Sequence, residues 1–558
     1  MNRLSRASRH LLAAAATAAL GAGAAYAQTV PPGAGDTLRD LQRNIPAVPK
    51  GSTTGLQVPA DADAGADLAQ RFPVSAVVIE GNRLLATDQL QPLVDGLAGR
   101  EVSLGELRAA ARAITALYRA SGFVVARAFV PAQRLEGGVV KVTVLEGSLN
   151  SSTVQNQSRV EQQVLDDIVA AQHMNGKVIR NAAMDRTLLL LADLPGVGPV
   201  NGLLKPGQAV GTSDLLIPVQ PGKDREGEVS VDNYGNRYTG AYRANGRLDL
   251  LSPLHIGDRL SLRATATSER LLYGRIAYDL PGNDDGLRVG VDASSSQYHL
   301  GKEFAALDAE GHADTVGATA LYPLVRGLVA NVWVSGAAEH RWLRDRTGAT
   351  DTTTKKGLDA ATVTLYGDLA DALGGGAYST WTLSTVLGRL DIRSAAARAA
   401  DQAGPRAQGG YMKLTGAVTR LQAITATTSA YLALSGQAAN KNLDSSEKFV
   451  IGGLYGVRAY PQGEGAGDDG WLGSVELRQA IAGVAQASVF YDQGHVRYQN
   501  KPYATGVSGQ TLKGYGVGLA GLWRDFNVRA VLAWRDAAKS LTAPDRSPRL
   551  WVSAGWSL

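Results

Sequence analysis

Leu287-Arg288-Val289-Gly290-Val291-Asp292-Ala293-Ser294 alternates a modest apolar residue with a polar residue or glycine at every step. A period of two puts the two sets on opposite faces of a strand. The same alternation runs through Leu260, Leu262, Ala264 and Ala266 against Ser261, Arg263, Thr265 and Thr267, and through Tyr515, Val517 and Leu519 against Gly514, Gly516 and Gly518. A soluble sandwich buries its apolar face under larger side chains. A membrane barrel instead faces lipid with Ala, Val, Leu and interfacial aromatics and keeps its lumen polar. These stretches therefore predict a transmembrane β-barrel over residues 223–558.

Sixteen antiparallel strands are expected, the first near 227–235 and the last near 549–558. From the third strand on, connections after even-numbered strands tend to be short, as at Leu324-Val325-Arg326, Ala423-Ile424 and Gly483-Val484. Those after odd-numbered strands are often long, as at 297–310, 342–356, 392–408, 439–470, 498–510 and 537–548. Short turns on one side, long loops on the other and an even strand count are what an outer-membrane barrel requires. Leu550, Val552, Ala554, Trp556 and Leu558 keep the lipid-facing parity to the last residue.

Upstream of the barrel the pattern changes to helices and strands. Val74, Ala76, Val78 and Glu80 alternate in a strand from Phe72 closed by Gly81-Asn82, and a helix is expected from Thr87 to Leu97. Ser103 and Glu106 form a capping box for a second helix with Leu107, Ala110, Ile114 and Leu117 on one face and Gly122 as its stop. Strands are expected at Phe123–Val130 and Val139–Leu145. The order strand, helix, helix, strand, strand then recurs, with strands near Leu149–Val154, Val200–Leu204 and Ser213–Val219 and helices near Val160–Gln172 and Asn181–Ala192. Two tandem α+β modules, 72–147 and 148–222, follow from this repeat. Small modules of this kind have exposed sheet edges suited to capturing an extended chain as an added strand.

The N-terminus reads as a secretory leader over 1–27: Arg3, Arg6 and Arg9, an apolar run from Leu11 to Leu20, then Ala25-Tyr26-Ala27 before Gln28. Residues 28–71 form a linker rich in Pro, Gly, Ala and Asp, with one short amphipathic helix near 31–46 whose Leu38, Leu41 and Ile45 share a face. The absence of Cys among 558 residues suits an oxidising compartment and excludes disulfides, thiolate metal sites and Cys nucleophiles. With 56 basic against 51 acidic residues spread along the chain, no basic block marks a nucleic-acid arm. The chain has no G-x-S-x-G elbow, no H-E-x-x-H and no phosphate-binding G-x-x-x-x-G-K-[ST], and its 7 His are scattered. No enzyme activity, cofactor or metal is expected.

Two stretches are more specific than barrel sequence in general. Loop 439–470 contains Ile451-Gly452-Gly453-Leu454-Tyr455-Gly456-Val457-Arg458-Ala459-Tyr460, and the thirteenth strand contains Phe490-Tyr491-Asp492-Gln493-Gly494. Period two puts Phe490, Asp492 and Gly494 on one face opposite Val489 and Tyr491, so Asp492 should point into the lumen, where a carboxylate wants a cation.

From about residue 35 to 558 the chain resembles the outer-membrane transporters of two-partner secretion, the TpsB family of ShlB/FhaC/HecB-like haemolysin and filamentous haemagglutinin exporters. Val457-Arg458-Ala459-Tyr460 is similar to that family's V-R-G-[YF] motif at the tip of the sixth extracellular loop, and Phe490-Tyr491-Asp492-Gln493-Gly494 to its F-x-D-x-G strand motif. Tyr118-Arg119, Gly122, Pro131-Ala132-Gln133 and Glu146-Gly147 resemble its first periplasmic POTRA domain, and Leu194-Pro195-Gly196-Val197 with Pro206-Gly207 the second. The resemblance implies that the sixth loop folds back into the barrel and brings Arg458 to Asp492, and that the 31–46 helix plugs the lumen. It also implies a secreted TpsA-type exoprotein as partner, with outer-membrane lipid and the barrel-assembly machinery as surroundings. The sheet edge with Val200, Leu203 and Leu204 beside the helix with Leu188 and Leu191 is the candidate surface for capture by strand addition, and the missing phosphate-binding motif points to export without ATP. Two departures stand out. Ala459 replaces the family glycine, and alanine tolerates positive φ poorly, so a different loop tip is expected. Leu558 replaces the usual terminal aromatic residue, a role Trp556 can share. The alternatives are a barrel-assembly insertase of the same superfamily and a passive porin. Two repeats with a plug helix favour export over the first, and the periplasmic repeats argue against the second.

Overall fold

The computed structural model describes residues 31–42, 55–57, 70–503, 505–536, 539–544 and 546–558. The expected leader, Ile45 and most of the linker lie outside the described residues. Helix α1 (Ala34–Gln42) and strand β1 (Gly55–Gln57) precede the first module.

That module comprises β2 (Arg71–Val74), β3 (Ala76–Glu80), α2 (Thr87–Leu90), β4 (Arg100–Ser103), α3 (Leu104–Ala120), β5 (Arg127–Phe129) and β6 (Val139–Leu145). Its sheet has the order β3-β6-β5, with β3 parallel to β6, while β2 pairs with β4. The strand expected from Phe72 breaks at Ser75, whose N–H donates to Gly138 O at 2.8 Å and whose hydroxyl donates to Gly137 O at 2.6 Å. The helix expected over Thr87–Leu97 is one α-turn followed by two 3₁₀ turns, Gln91–Leu93 and Asp95–Leu97. Pro92 supplies no N–H and Gly96 disfavours helix, which accounts for the change. The strand expected from Phe123 begins only at Arg127, because Ala126 N–H donates to Phe123 O in a preceding turn. Helix α3 starts on the expected capping box: Glu106 N–H donates to Ser103 Oγ at 3.2 Å and Ser103 N–H to Glu106 Oε2 at 2.7 Å. That backbone bond and the Arg100 guanidinium hold the Glu106 carboxyl down at about 2.

The second module repeats the order with β7 (Ser148–Asn156), α4 (Gln162–Ala171), α5 (Asn181–Ala192), β8 (Val197–Pro206) and β9 (Thr212–Pro221). Each module has its own core, around Ile114, Tyr118 and Val142 in the first and Leu165, Leu188 and Ile217 in the second. The second sheet runs β1-β8-β9-β7, so a segment of the linker forms its edge. The module seats on periplasmic turns of the barrel, where Arg186 Nη2 meets Asp285 Oδ1 at 3.0 Å and Arg326 Nη2 meets Asp193 Oδ1 at 2.7 Å.

The barrel is closed and has sixteen strands, all neighbours antiparallel. In chain order these are β10 (Arg225–Asp232), β11 (Arg243–Leu251), β12 (Arg259–Thr267), β13 (Leu272–Pro281), β14 (Arg288–His299), β15 (Ala309–Arg326), β16 (Ala330–Thr347), β17 (Thr352–Asp371), β18 (Ala377–Ile392), β19 (Gly409–Ala423) and β20 (Thr428–Ala439). After a two-stranded ribbon of β21 (Phe449–Val450) and β22 (Ala466–Gly467) come β23 (Asp469–Ile481), β24 (Ala485–Arg497), β25 (Gly509–Trp523), β26 (Phe526–Arg535) and β27 (Arg549–Ser557). Helix α6 (Ala395–Ala403) occupies the connection after β18. Strand β27 closes on β10 from Glu228↔Ser557 to Asp232↔Ser553. Parity is as read: Val289 and Val291 are exposed toward lipid, as are Leu550 and Trp556. The stretch 342–356, expected as a long loop, is a tight turn between β16 and β17, which pair to Thr347↔Thr352. Charged residues on both faces of these strand ends hide the alternation there, because above the lipid neither face needs to be apolar.

Candidate functional site

The connection between β20 and β23 turns inward across the lumen. Its tip is a tight turn, with Val457 N–H donating to Ile451 O at 2.7 Å and Tyr460 N–H to Val457 O at 3.0 Å. Val457, Arg458, Ala459 and Tyr460 are all buried there, and so are Phe490 and Asp492 on β24. Asp492 lies on the face opposite the lipid-exposed Val489 and Tyr491, as the period of two required.

Arg458 and Asp492 meet as a forked pair, Nε to Oδ2 at 2.9 Å and Nη2 to Oδ1 at 2.8 Å, and the Arg458 backbone N–H adds a third bond to Oδ2 at 3.1 Å. Such two-pronged, charge-assisted geometry is the strong form of this interaction. Three further partners were not singled out in the sequence. Glu476 on β23 accepts from Arg458 Nη1 at 2.8 Å and from Arg478 Nε at 3.0 Å. Ser474 accepts from Arg458 Nη2 at 3.1 Å and donates to Asp492 Oδ1 at 2.8 Å. Trp551 on β27 donates Nε1–H to Arg458 O at 2.7 Å. Two arginines and two carboxylates thus alternate, so the buried network is neutral overall. Ser474, Glu476 and Arg478 share the inward parity of β23 opposite Val475 and Leu477, and that alternation is the signal that could have found them.

The Arg458 guanidinium also lies 3.3 Å from the centroid of the Phe490 ring, a cation–π contact in a dry setting. Phe490 in turn covers Gly516, where a Cβ would come within 2.4 Å of its ring, so only glycine admits the stack. Gly494 faces Ile451 of the folded loop, 3.2 Å from where its Cβ would be. Ala459 is not among the residues with positive φ, so its replacement of a glycine strains nothing in the backbone. Its methyl packs directly over Gly514, where a Cβ would lie 2.5 Å away. Farther along the loop, buried Glu464 accepts from Gln510 Nε2, Ser540 Oγ and the N–H groups of Leu541 and Thr542, tying this loop to the last extracellular connection.

Helix α1 lies inside the barrel against the opposite wall. Ala34 and Leu38 are buried among Tyr273, Tyr298, Ala313 and Leu343, with Leu41 half-buried beside them. The N-terminal end is held by Ala34 N–H donating to Asp345 Oδ1 at 2.8 Å, an acid near the positive end of the helix. Toward the inward loop, Arg39 Nη1 donates to Ser445 O at 2.5 Å and Gly35 lies close against Ser446. A cavity of about 1260 Å3 remains beside the helix, lined by Asp36, Arg39, Asp232, Asn245 and Tyr455 among others. Among the described residues no cluster of His, Cys, Asp and Glu has metal-binding geometry.

At the second module, Leu188, Leu191, Val200 and Leu204 are buried in its core, and Leu203 is half-buried. Their side chains therefore build the module, and what β8 presents at its edge is backbone. That edge carries β1 in parallel register, Gly55↔Asn201, Leu56↔Gly202 and Gln57↔Leu203, with Leu56 beside Leu188 over Gly202.

Residues 72–147 match the POTRA domain of ShlB type, and residues 211–521 match the haemolysin secretion/activation proteins ShlB/FhaC/HecB. The heme/hemopexin transporter protein HuxB of Haemophilus influenzae is 29% identical over 478 residues, 84% of each chain. Solved structures of CdiB from Escherichia coli and from Acinetobacter baumannii superpose with TM-scores of 0.68 and 0.62, covering 100% and 99% of this chain and 100% and 97% of theirs, each at 18% identity. With its closed sixteen-stranded barrel in the outer membrane and its periplasmic modules, the chain belongs to the ShlB/FhaC/HecB family of outer-membrane transporters of two-partner secretion.

Proposed function

We propose that this transporter exports one large, unfolded TpsA-type exoprotein, of the haemolysin or adhesin class, from the periplasm to the cell surface. The observation that carries this reading is the edge of β8. It already holds an extended segment in sheet register, yet that segment is only three residues of the chain's own linker. A longer partner strand can take the same backbone donors and acceptors and exceed β1 in length, which is recognition by strand addition. The cargo then enters the barrel, helix α1 leaves its seat, and the contact of Arg458 with Asp492 loosens as the loop moves. No nucleotide site is involved, and progressive folding outside supplies the direction.

The test is secretion of the exoprotein encoded beside this protein, in cells with and without it, together with outer-membrane fractionation. Loss of the exoprotein from the medium with periplasmic accumulation supports export. Unchanged secretion with other barrels failing to insert would instead favour an assembly insertase.

A further inference from the structure

The outer face of the tall wall β15–β18 changes character toward its extracellular end. Leu343 and Leu358 are buried on the lumen side, which fixes the parity of β16 and β17. The lipid-facing set is then Val332, Val334, Gly336 and Ala338 on β16, and Leu369, Leu365, Val363 and Ala361 on β17. A lipid band about 25 Å tall on strands tilted by about 40° takes up roughly ten residues. Starting from Ala330, it ends at His340 and Trp342, whose rings meet edge to face at 4.2 Å. Tryptophan at that height is the usual marker of the membrane–water interface.

The next row outward consists of His312, Arg344, Lys355 and Arg393, all exposed. They are direct neighbours across four strands or strand ends: His312↔Arg344, Arg344↔Lys355, and Arg393 N–H donating to Lys355 O at 2.8 Å. No carboxylate interrupts the row. Among the described residues, Arg344 and Lys355 have no ion pair and no side-chain hydrogen bond, and neither has Arg389 just below. The acids nearby are mostly engaged outside the row: Asp359 by His340 at 2.5 Å, Asp314 by Ser295 at 2.6 Å and Glu310 by Arg346 at 3.2 Å, while Asp391 meets Arg393 at the end of the row at 3.4 Å. Like charges directly opposite one another destabilise a sheet. Here Arg344 and Lys355 stand directly opposite one another at the height of lipid head groups with no protein anion paired to either among the described residues.

We propose that His312, Arg344, Lys355 and Arg393 form a binding site for the phosphate groups of a phosphorylated glycolipid head group in the outer leaflet. Arg344 offers a two-pronged fork to phosphate and Lys355 a point charge, while the apolar band below, with exposed Val363, receives the acyl chains. This fixes the vertical position and the lipid neighbours of the β15–β18 wall, and it goes beyond the export reading without depending on it.

The experiment uses the full-length protein in nanodiscs of lipid A with phosphatidylcholine or of phosphatidylcholine alone. Native mass spectrometry counts lipid A retained by the wild type and by an Arg344→Gln/Lys355→Gln variant. Heat-modifiable electrophoretic mobility reports that the barrel is folded. The expected result is retention by the wild type, with affinity falling about fivefold for each cation removed. Arg344→Lys should keep part of the retention. Equal retention by the folded double variant overturns the site. Displacement of lipid A by millimolar inorganic phosphate would make the row a free-anion site and overturn the lipid assignment.

Discussion

Among the described residues, the inward loop tip and helix α1 both occupy the lumen, and they are held in different ways. The tip is fixed covalently at both ends and anchored by a forked ion pair, a second carboxylate, a ring stack and a tryptophan donor, all away from water. The helix buries Ala34, Gly35, Thr37 and Leu38 and, among the described residues, bonds to the wall at Asp345 and Tyr273 and to the loop at Ser445. The difference teaches that the loop tip is held by buried charge and the helix mainly by packing, so the departure proposed for the helix breaks fewer charged contacts than movement of the tip.

The largest effect is expected from Arg458→Ala. It leaves Asp492 buried without a cation, a loss of about 3–5 kcal/mol in local stability. Secretion should fall while the barrel remains inserted and heat-modifiable; wild-type secretion would remove the role given to Arg458. Next is Asp345→Ala, which takes the acceptor from both Ala34 N–H and the Tyr298 hydroxyl at the foot of the helix. A loss of about 1–3 kcal/mol should raise the open fraction in planar-bilayer recordings. If the channel stays as closed as wild type, the helix is held by something else. Ala459→Gly should cost about 1 kcal/mol through lost packing on Gly514 and added chain freedom, read as a lower temperature for loss of the folded electrophoretic form. No change there would mean the methyl contact contributes nothing.

The smallest effect contrasts the buried lock with an exposed ion pair. Glu106 is held at about 2 in the folded first module against an ordinary value of 4.5. Its contribution is therefore complete above about pH 4.5 and is lost as pH falls toward 2. Hydrogen exchange of the first turn of α3 should accelerate over that window in the wild type, and Glu106→Gln should flatten the response. An unchanged profile in the variant would exclude Glu106 as the source.

Much of this architecture was readable one strand at a time. The alternation around Leu287–Ser294 survives because lipid on one side and a wet lumen on the other enforce it at every residue. The capping box at Ser103 and Glu106 is local chemistry and appears where the spacing placed it. Arg458 and Asp492 were legible as a pair because each sits in a motif. Glu476, Ser474 and Trp551 were not, since their roles arise only when β23, β24 and β27 are brought together with the loop. The break at Ser75 depends on Gly137 and Gly138, and nothing in the local alternation announces a partner so distant in the chain. Leu188, Leu191, Val200 and Leu204 were chosen for apolarity near an edge, which is equally the signature of a core.

The short strand β1 also sets a length. From Gln42 at the end of α1 to Gly55 there are thirteen residue steps, and a fully extended chain covers about 45 Å over that distance. While β1 is docked on β8, the helix is a ligand on a short leash, kept at high effective concentration near its own seat. Beyond β1 the next element in the chain is β2 at Arg71, twenty-nine residue steps from Gln42, so undocking β1 about doubles the length of chain between the helix and the next element. Occupation of the β8 edge by another strand would therefore dilute the plug at the mouth of the pore and slow its return, coupling two places that never touch through the length of chain between them.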